Sequence, residues 1–134
     1  MIINITHKTT IRDVQRKIAT EYPFVKIEFA VKQKFHRSKS SAKDWYDHDC
    51  KLLSIAKKPE KGWVVVHSWH KTFYLKQTFE ERFGLHIEVL RRQNDQWVET
   101  SGTDIFTLDE QNEKGRKSVE KNFAPFYRER ELLL

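Results

Sequence analysis

Val25-Lys26-Ile27-Glu28-Phe29-Ala30-Val31 alternates apolar and mostly polar side chains, the period of a strand with one buried face. Sixty residues on, Leu85-His86-Ile87-Glu88-Val89-Leu90 runs the same way, with Val25, Ile27, Glu28 and Phe29 falling on Leu85, Ile87, Glu88 and Val89. Upstream of each strand lies a helical stripe. Ile11, Val14, Ile18 and Tyr22 form the first, and Leu75, Phe79 and Phe83 form the second; Val14, Ile18 and Tyr22 precede Leu75, Phe79 and Phe83 by 61 positions. Thr9 or Thr10 offers an N-cap to the first helix, with Asp13 three residues after Thr10 in the manner of a capping box. Pro23 ends that helix, and Gly84 stands where the second needs a left-handed cap. Further upstream, Met1–Thr6 and Trp63–Trp69 read as strands, with Ile3 and Ile5 falling on Val64 and Val66.

Two β-α-β units sharing one sheet predict an α+β fold of ferredoxin-like arrangement (βαββαβ), with an extra C-terminal strand and helix. The expected organisation is one domain over residues 1–134: a first unit over 1–32, a polar connector over 33–62, a second unit over 63–91, and an additional strand, helix and tail over 92–134. Within the connector, Ser38–Lys43 has the composition of a loop and Lys51–Ala56 that of a short helical turn. Asn94-Asp95-Gln96 is a turn signal before a strand at Trp97–Thr100. Thr107-Leu108-Asp109-Glu110 is a capping box that starts the last helix, Gly115 is a point for it to end or break, and Phe123, Phe126 and Tyr127 are expected to dock the tail.

At 134 residues the chain has material for one core, and its 17 aromatic residues argue against a disordered polymer. A single cysteine, Cys50, excludes an internal disulfide. The N-terminus lacks the basic and apolar pattern of a secretory leader, and no apolar run approaches membrane-spanning length, so the expected setting is the cytoplasm. The net charge of +6 is uneven: residues 1–62 carry 14 Lys/Arg against 7 Asp/Glu, and residues 63–134 carry 11 against 12. A lysine-rich solvated surface accounts for this, and a field attracting phosphates is the alternative.

Lys51-Leu52-Leu53-Ser54-Ile55, followed by Thr72–Leu90 with its Phe79-Glu80-Glu81-Arg82-Phe83-Gly84-Leu85 core, resembles a group of small uncharacterised bacterial proteins. Thr103-Asp104 with Thr107–Asn112 is similar to a form of that group associated with Bacteroidetes. The resemblance covers most of residues 51–115. It implies the duplicated β-α-β fold and nothing about mechanism.

Chemistry-bearing motifs are few. Asp47-His48-Asp49-Cys50, with His36 upstream, has zinc-ligand or nucleophile residue types, but lacks the paired ligands at regular spacing that zinc sites use. A solvated acidic patch beside the lysines is the better reading. His67 and His70 straddle the end of a strand, and positions three apart on a strand face opposite ways. The four glycines form no phosphate loop, and neither G-x-S-x-G nor H-E-x-x-H occurs. The expectation is therefore no catalytic, cofactor or metal residues, and a non-catalytic protein-interaction or regulatory domain acting through its sheet face or edges.

Its face would be Trp63, Val65, His67 and Trp69, with Lys26, Lys32 and Arg92 nearby, and its partner another protein or a second copy. The alternative is single-stranded RNA or DNA stacking on those aromatics beside the basic first half. Glu28 and Glu88, on the same face, count against phosphate binding.

Overall fold

In the computed structural model, residues 1–31 and 44–132 are described, with backbone alone for 121–132. Lys32, His36 and Ser38–Lys43 lie outside the described residues, as do the side chains of Phe123, Phe126 and Tyr127.

The local signals are realised closely. β1 (Ile2–Ile5) leads to α1 (Ile11–Glu21), whose N-cap Thr10 closes a full capping box with Asp13. β2 (Val25–Ala30) follows, and then the short α2 (Leu52–Ile55). β3 (Gly62–Val65) leads to α3 (Thr72–Phe83), which ends on Gly84 at φ 63°, a left-handed conformation that only glycine adopts without strain. β4 (His86–Gln93) and β5 (Gln96–Glu99) form a hairpin, and α4 (Leu108–Leu132) starts at the Thr107–Glu110 capping box. α4 runs straight through Gly115, where a Cβ would stand 2.7 Å from Phe24 Cβ and 3.0 Å from the Phe24 carbonyl oxygen. The glycine there permits close approach and does not break the helix.

The chain is α+β, but its sheets differ from the ferredoxin-like arrangement. β1 and β3 form a separate antiparallel ribbon, and β2, β4 and β5 form an antiparallel sheet in the order β2-β4-β5. A single sheet would require β2 to pair with β3. That edge of β2 is already filled: Tyr46 N–H donates to the Phe29 carbonyl at 2.9 Å, and Val31 N–H donates to the Asp44 carbonyl at 3.0 Å. β4 is similarly flanked by β5 and by Thr100, whose N–H donates to the Val89 carbonyl at 3.0 Å. β1 and β3, neighbours in the ferredoxin-like order as well, are thus left as a two-stranded ribbon.

The registers define an approximate two-fold axis. Ile3 pairs with Val64, its own counterpart 61 residues on. Glu28 pairs with Glu88, its counterpart 60 residues on. The axis also relates later segments, because each strand-to-helix junction is closed by chain arriving afterwards. Ile11 N–H donates to the Cys50 carbonyl at 3.0 Å and Arg12 N–H to that of His48 at 2.8 Å; Thr72 N–H donates to Phe106 at 2.9 Å and Phe73 N–H to Asp104 at 3.0 Å. Leu52 N–H returns to the Thr9 carbonyl at 2.9 Å, as Leu108 N–H returns to that of His70 at 3.0 Å. Residues 48–52 thus do for the first unit what 104–108 do for the second.

The core lies between ribbon, sheet and helices. Ile3, Ile5, Val64 and Val66 join Ile27, Phe29, Ile87 and Val89 in one buried cluster with Val14, Ile18, Leu75 and Phe79. Phe29 meets Phe79 edge to face at 5.5 Å, and each fully buried phenylalanine contributes on the order of 2–3 kcal/mol.

Candidate interaction surface

β3 ends at Val65, short of the expected Trp69, because a tight turn begins at His67. His70 N–H donates to the His67 carbonyl at 3.0 Å, and His67 N–H donates to His70 Nδ1 at 3.0 Å. The turn closes on its own side chain, so His67 and His70 are structural partners here. His70 is buried, and Trp69 is 68% exposed. Trp69 stacks on His67 at 5.1 Å and meets His70 at 4.5 Å; His70 then packs on Tyr74 of α3 at 4.3 Å. Burial first, then the neighbouring His67 and the Met1 ammonium, push the His70 imidazole below its ordinary value.

Around this turn stand Phe73 and Tyr74 from the first turn of α3, with Ile105, which is 72% exposed, from the loop that closes the junction. With aromatic side chains of roughly 150–250 Å² each, about half or more exposed, Trp69, Phe73, Tyr74 and Ile105 present on the order of 400–500 Å² of apolar surface. Patches of that size on a monomer are commonly functional.

The first unit has the same turn with different chemistry. Thr9 N–H donates to the Thr6 carbonyl at 3.1 Å, and Thr6 N–H donates to Thr9 Oγ1 at 2.9 Å. On that frame Trp69 is replaced by Lys8, Phe73 by Arg12, Tyr74 by Asp13 and Ile105 by Asp49. Arg12 and Asp49 form an ion pair at 3.0 Å, and Asp13 caps α1. The same backbone hydrogen-bond pattern thus carries an ion pair and a helix cap on one side of the axis and exposed apolar side chains on the other.

The other sequence-derived residues are divided between the two sheets. Trp63, 56% exposed, and the half-buried Val65 lie on the outer face of the ribbon opposite Asn4 and Ile2, and Arg82 of α3 donates to the Trp63 carbonyl. Lys26 and Arg92 belong to the three-stranded sheet, where they lie over the Trp97 ring at 5.6 and 5.4 Å. Lys26 and Arg92 therefore sit beside Trp97, and Trp63 stands on the other sheet.

Glu28 and Glu88, expected on an open face, are buried at the axis. Lys26 Nζ lies 3.0 Å and His48 Nε2 3.4 Å from Glu28; His86 Nε2 lies 3.0 Å and Lys76 Nζ 3.5 Å from Glu88. Lys76 also reaches Asp104 at 3.2 Å. Buried carboxylates persist where cations face them, and both positions meet that condition. Asp47 accepts from Asp49 N–H at 2.8 Å, and the half-buried Cys50 packs against the core. Among the described residues no three His, Cys, Asp or Glu side chains converge as metal ligands, and no helix is long and apolar enough to cross a membrane.

Fold and surface together define an α+β chain of two antiparallel sheets, with Trp69, Phe73, Tyr74 and Ile105 exposed around the second strand-to-helix junction. Comparison with protein-family models, curated proteins and solved structures finds no match for the chain.

Proposed function

We propose that the chain is a non-catalytic protein-interaction domain that docks a partner on Trp69, Phe73, Tyr74 and Ile105. One observation carries this reading. The equivalent positions of the first unit are Lys8, Arg12, Asp13 and Asp49, so the frame tolerates polar residues there and the second unit nevertheless exposes apolar ones. Desolvating such a patch stabilises association, with exposed aromatics as its anchors. Membership of the small bacterial family that Phe79–Leu85 resembles, and a cytoplasmic setting, belong to the same proposal.

A photo-crosslinking phenylalanine analogue at position 73, with the same analogue at position 12 as control, tests it in cells expressing the full chain. A discrete adduct at position 73 and none at 12, lost with Trp69→Lys, is expected. Equal labelling at both positions, or none at 73, refutes the reading. An adduct of twice 16.2 kDa identifies a second copy as the partner.

A second reading, single-stranded nucleic acid binding, rests on the Trp97 ring flanked by Lys26 and Arg92. It requires fluorescence anisotropy of mixed oligonucleotides to rise at low salt, to fall steeply as salt is added, and to weaken with Trp97→Ala.

A further inference from the structure

The turn that positions Trp69 is held by an acceptor that titrates, whereas its counterpart in the first unit is held by one that does not. At Thr9 the hydroxyl oxygen takes the Thr6 N–H at every ordinary pH. At His70 the acceptor is the Nδ1 lone pair, which takes the His67 N–H only while the imidazole is neutral. We propose that protonation of His70 opens the 67–70 turn and dismantles the Trp69–Phe73–Tyr74–Ile105 patch, so that docking is switched off by mild acid. This rests on the docking reading and adds its regulation.

Protonation puts a hydrogen on Nδ1 facing the hydrogen of the His67 amide, and the contact becomes repulsive. The ring cannot turn away freely, since Trp69, His67 and Tyr74 pack against it at 4.5, 5.0 and 4.3 Å. Titratable and charged groups flank the turn on the elements around it. Its own turn supplies His67, and α3 supplies Tyr74, with Lys71 next in the chain. Beside β1 the Met1 ammonium donates to the Val66 carbonyl at 3.0 Å. α4 supplies Asp109, whose N–H donates to the Ser68 carbonyl at 3.1 Å. Burial opposes the positive charge most, His67 and the ammonium oppose it next, and the folded imidazole lies below its ordinary value. The closed turn is therefore fully favoured above the ordinary imidazole range, about 6.5, and is lost as pH falls through the lower folded value.

The first unit supplies the control variant. His70→Thr installs the residue that holds the same turn at Thr9, and it removes the titrating acceptor.

Nuclear magnetic resonance of the labelled full chain from about pH 7.5 to about pH 5 reads the switch directly. The His70 ring, the His67 amide and the Trp69 indole are expected to shift together, with a midpoint below that of a free imidazole. In His70→Thr the His67 amide should keep its slow exchange with solvent across the whole range, because the hydroxyl acceptor is retained whatever the pH. A His67 amide that does not move in the wild-type chain overturns the proposal, as does an unchanged transition in His70→Thr.

The second arm repeats the position-73 crosslinking in extracts held at the two pH limits. A several-fold loss of adduct at the acid limit, absent in His70→Thr, supports the switch; undiminished adduct there overturns it. A concerted His70 transition with no adduct at either pH refutes docking while the titrating turn stands.

Discussion

Gly115→Ala sets two effects of opposite sign against each other in one substitution. Alanine in a helix interior is favoured over glycine by about 1 kcal/mol, and Gly115 lies within α4. Against that, the new methyl group would stand 2.7 Å from Phe24 Cβ, 3.0 Å from the Phe24 carbonyl oxygen and 3.4 Å from the Arg92 amide nitrogen. Two of these three contacts are backbone atoms that cannot swing aside, and Arg92 N–H is already committed to the Phe24 carbonyl at 3.0 Å. Overpacking of this kind costs about 1–3 kcal/mol, and the backbone contacts place it toward the upper end. The net expectation is a loss of about 1–2 kcal/mol in urea unfolding with an unchanged m-value. Gly102→Ala is the control, because nothing lies within 4 Å of its Cβ, and it should change stability by less than about 0.5 kcal/mol. A Gly115→Ala protein as stable as the parent, or more so, would refute the close crossing of α4 over the start of β2.

Replacing Lys76 by Met removes one cation facing the buried Glu88 and should cost about 1–3 kcal/mol, below a complete pair loss because His86 remains; a change under about 0.5 kcal/mol in chemical denaturation contradicts this. Thr10→Ala should cost about 1 kcal/mol through the lost cap. The Thr10 backbone N–H, which Thr10→Ala retains, holds the Asp13 carboxyl below its ordinary value, so the contribution of Asp13, removed by Asp13→Ala, is complete above the usual carboxylate range and fades as pH falls through the folded value. A penalty for Asp13→Ala that grows in acid would show the sign to be wrong. Phe73→Arg with Ile105→Asp transplants the Arg12–Asp49 pair; thermal unfolding should place it within about 1 kcal/mol of the parent, with a double-mutant coupling of about 0.2–1 kcal/mol. Loss of the fold would mean that the two junctions are not equivalent.

Helices and their ends were legible in the sequence because the signals are local: Thr10 with Asp13, Gly84 at positive φ, Thr107 with Glu110. Sheet layout was not, because pairing depends on what occupies the opposite edge of a strand. Nothing in the composition of Asp44–Tyr46 announces that it lines β2. Alternation placed Glu28 and Glu88 opposite Ile27 and Ile87 correctly, but it carries no information on whether that second face is covered. Trp69 and His67 were found as outward aromatics. Phe73, Tyr74 and Ile105 were not, since each alone reads as an ordinary surface residue. Comparing outward positions at the 61-residue spacing, Arg12 with Phe73 and Asp13 with Tyr74, was the signal available for two of these three. Ile105 was hidden further, because Asp49 precedes it by 56 residues and the shared frame there is backbone hydrogen bonding, with Leu52 and Leu108 nearly the only matching side chains.

The axis through Ile3–Val64 and Glu28–Glu88 has a bearing on valency. Two separate chains with this frame would assemble as a symmetric pair, and any patch they carried would appear twice. Such a pair bridges its partners and gains avidity when they are clustered. Joined in one polypeptide, the halves hold together at any dilution, and their surfaces need not match. On the docking proposal above, each chain then offers one apolar patch, occupies one partner at a time, and keeps a second, charged junction of the same frame.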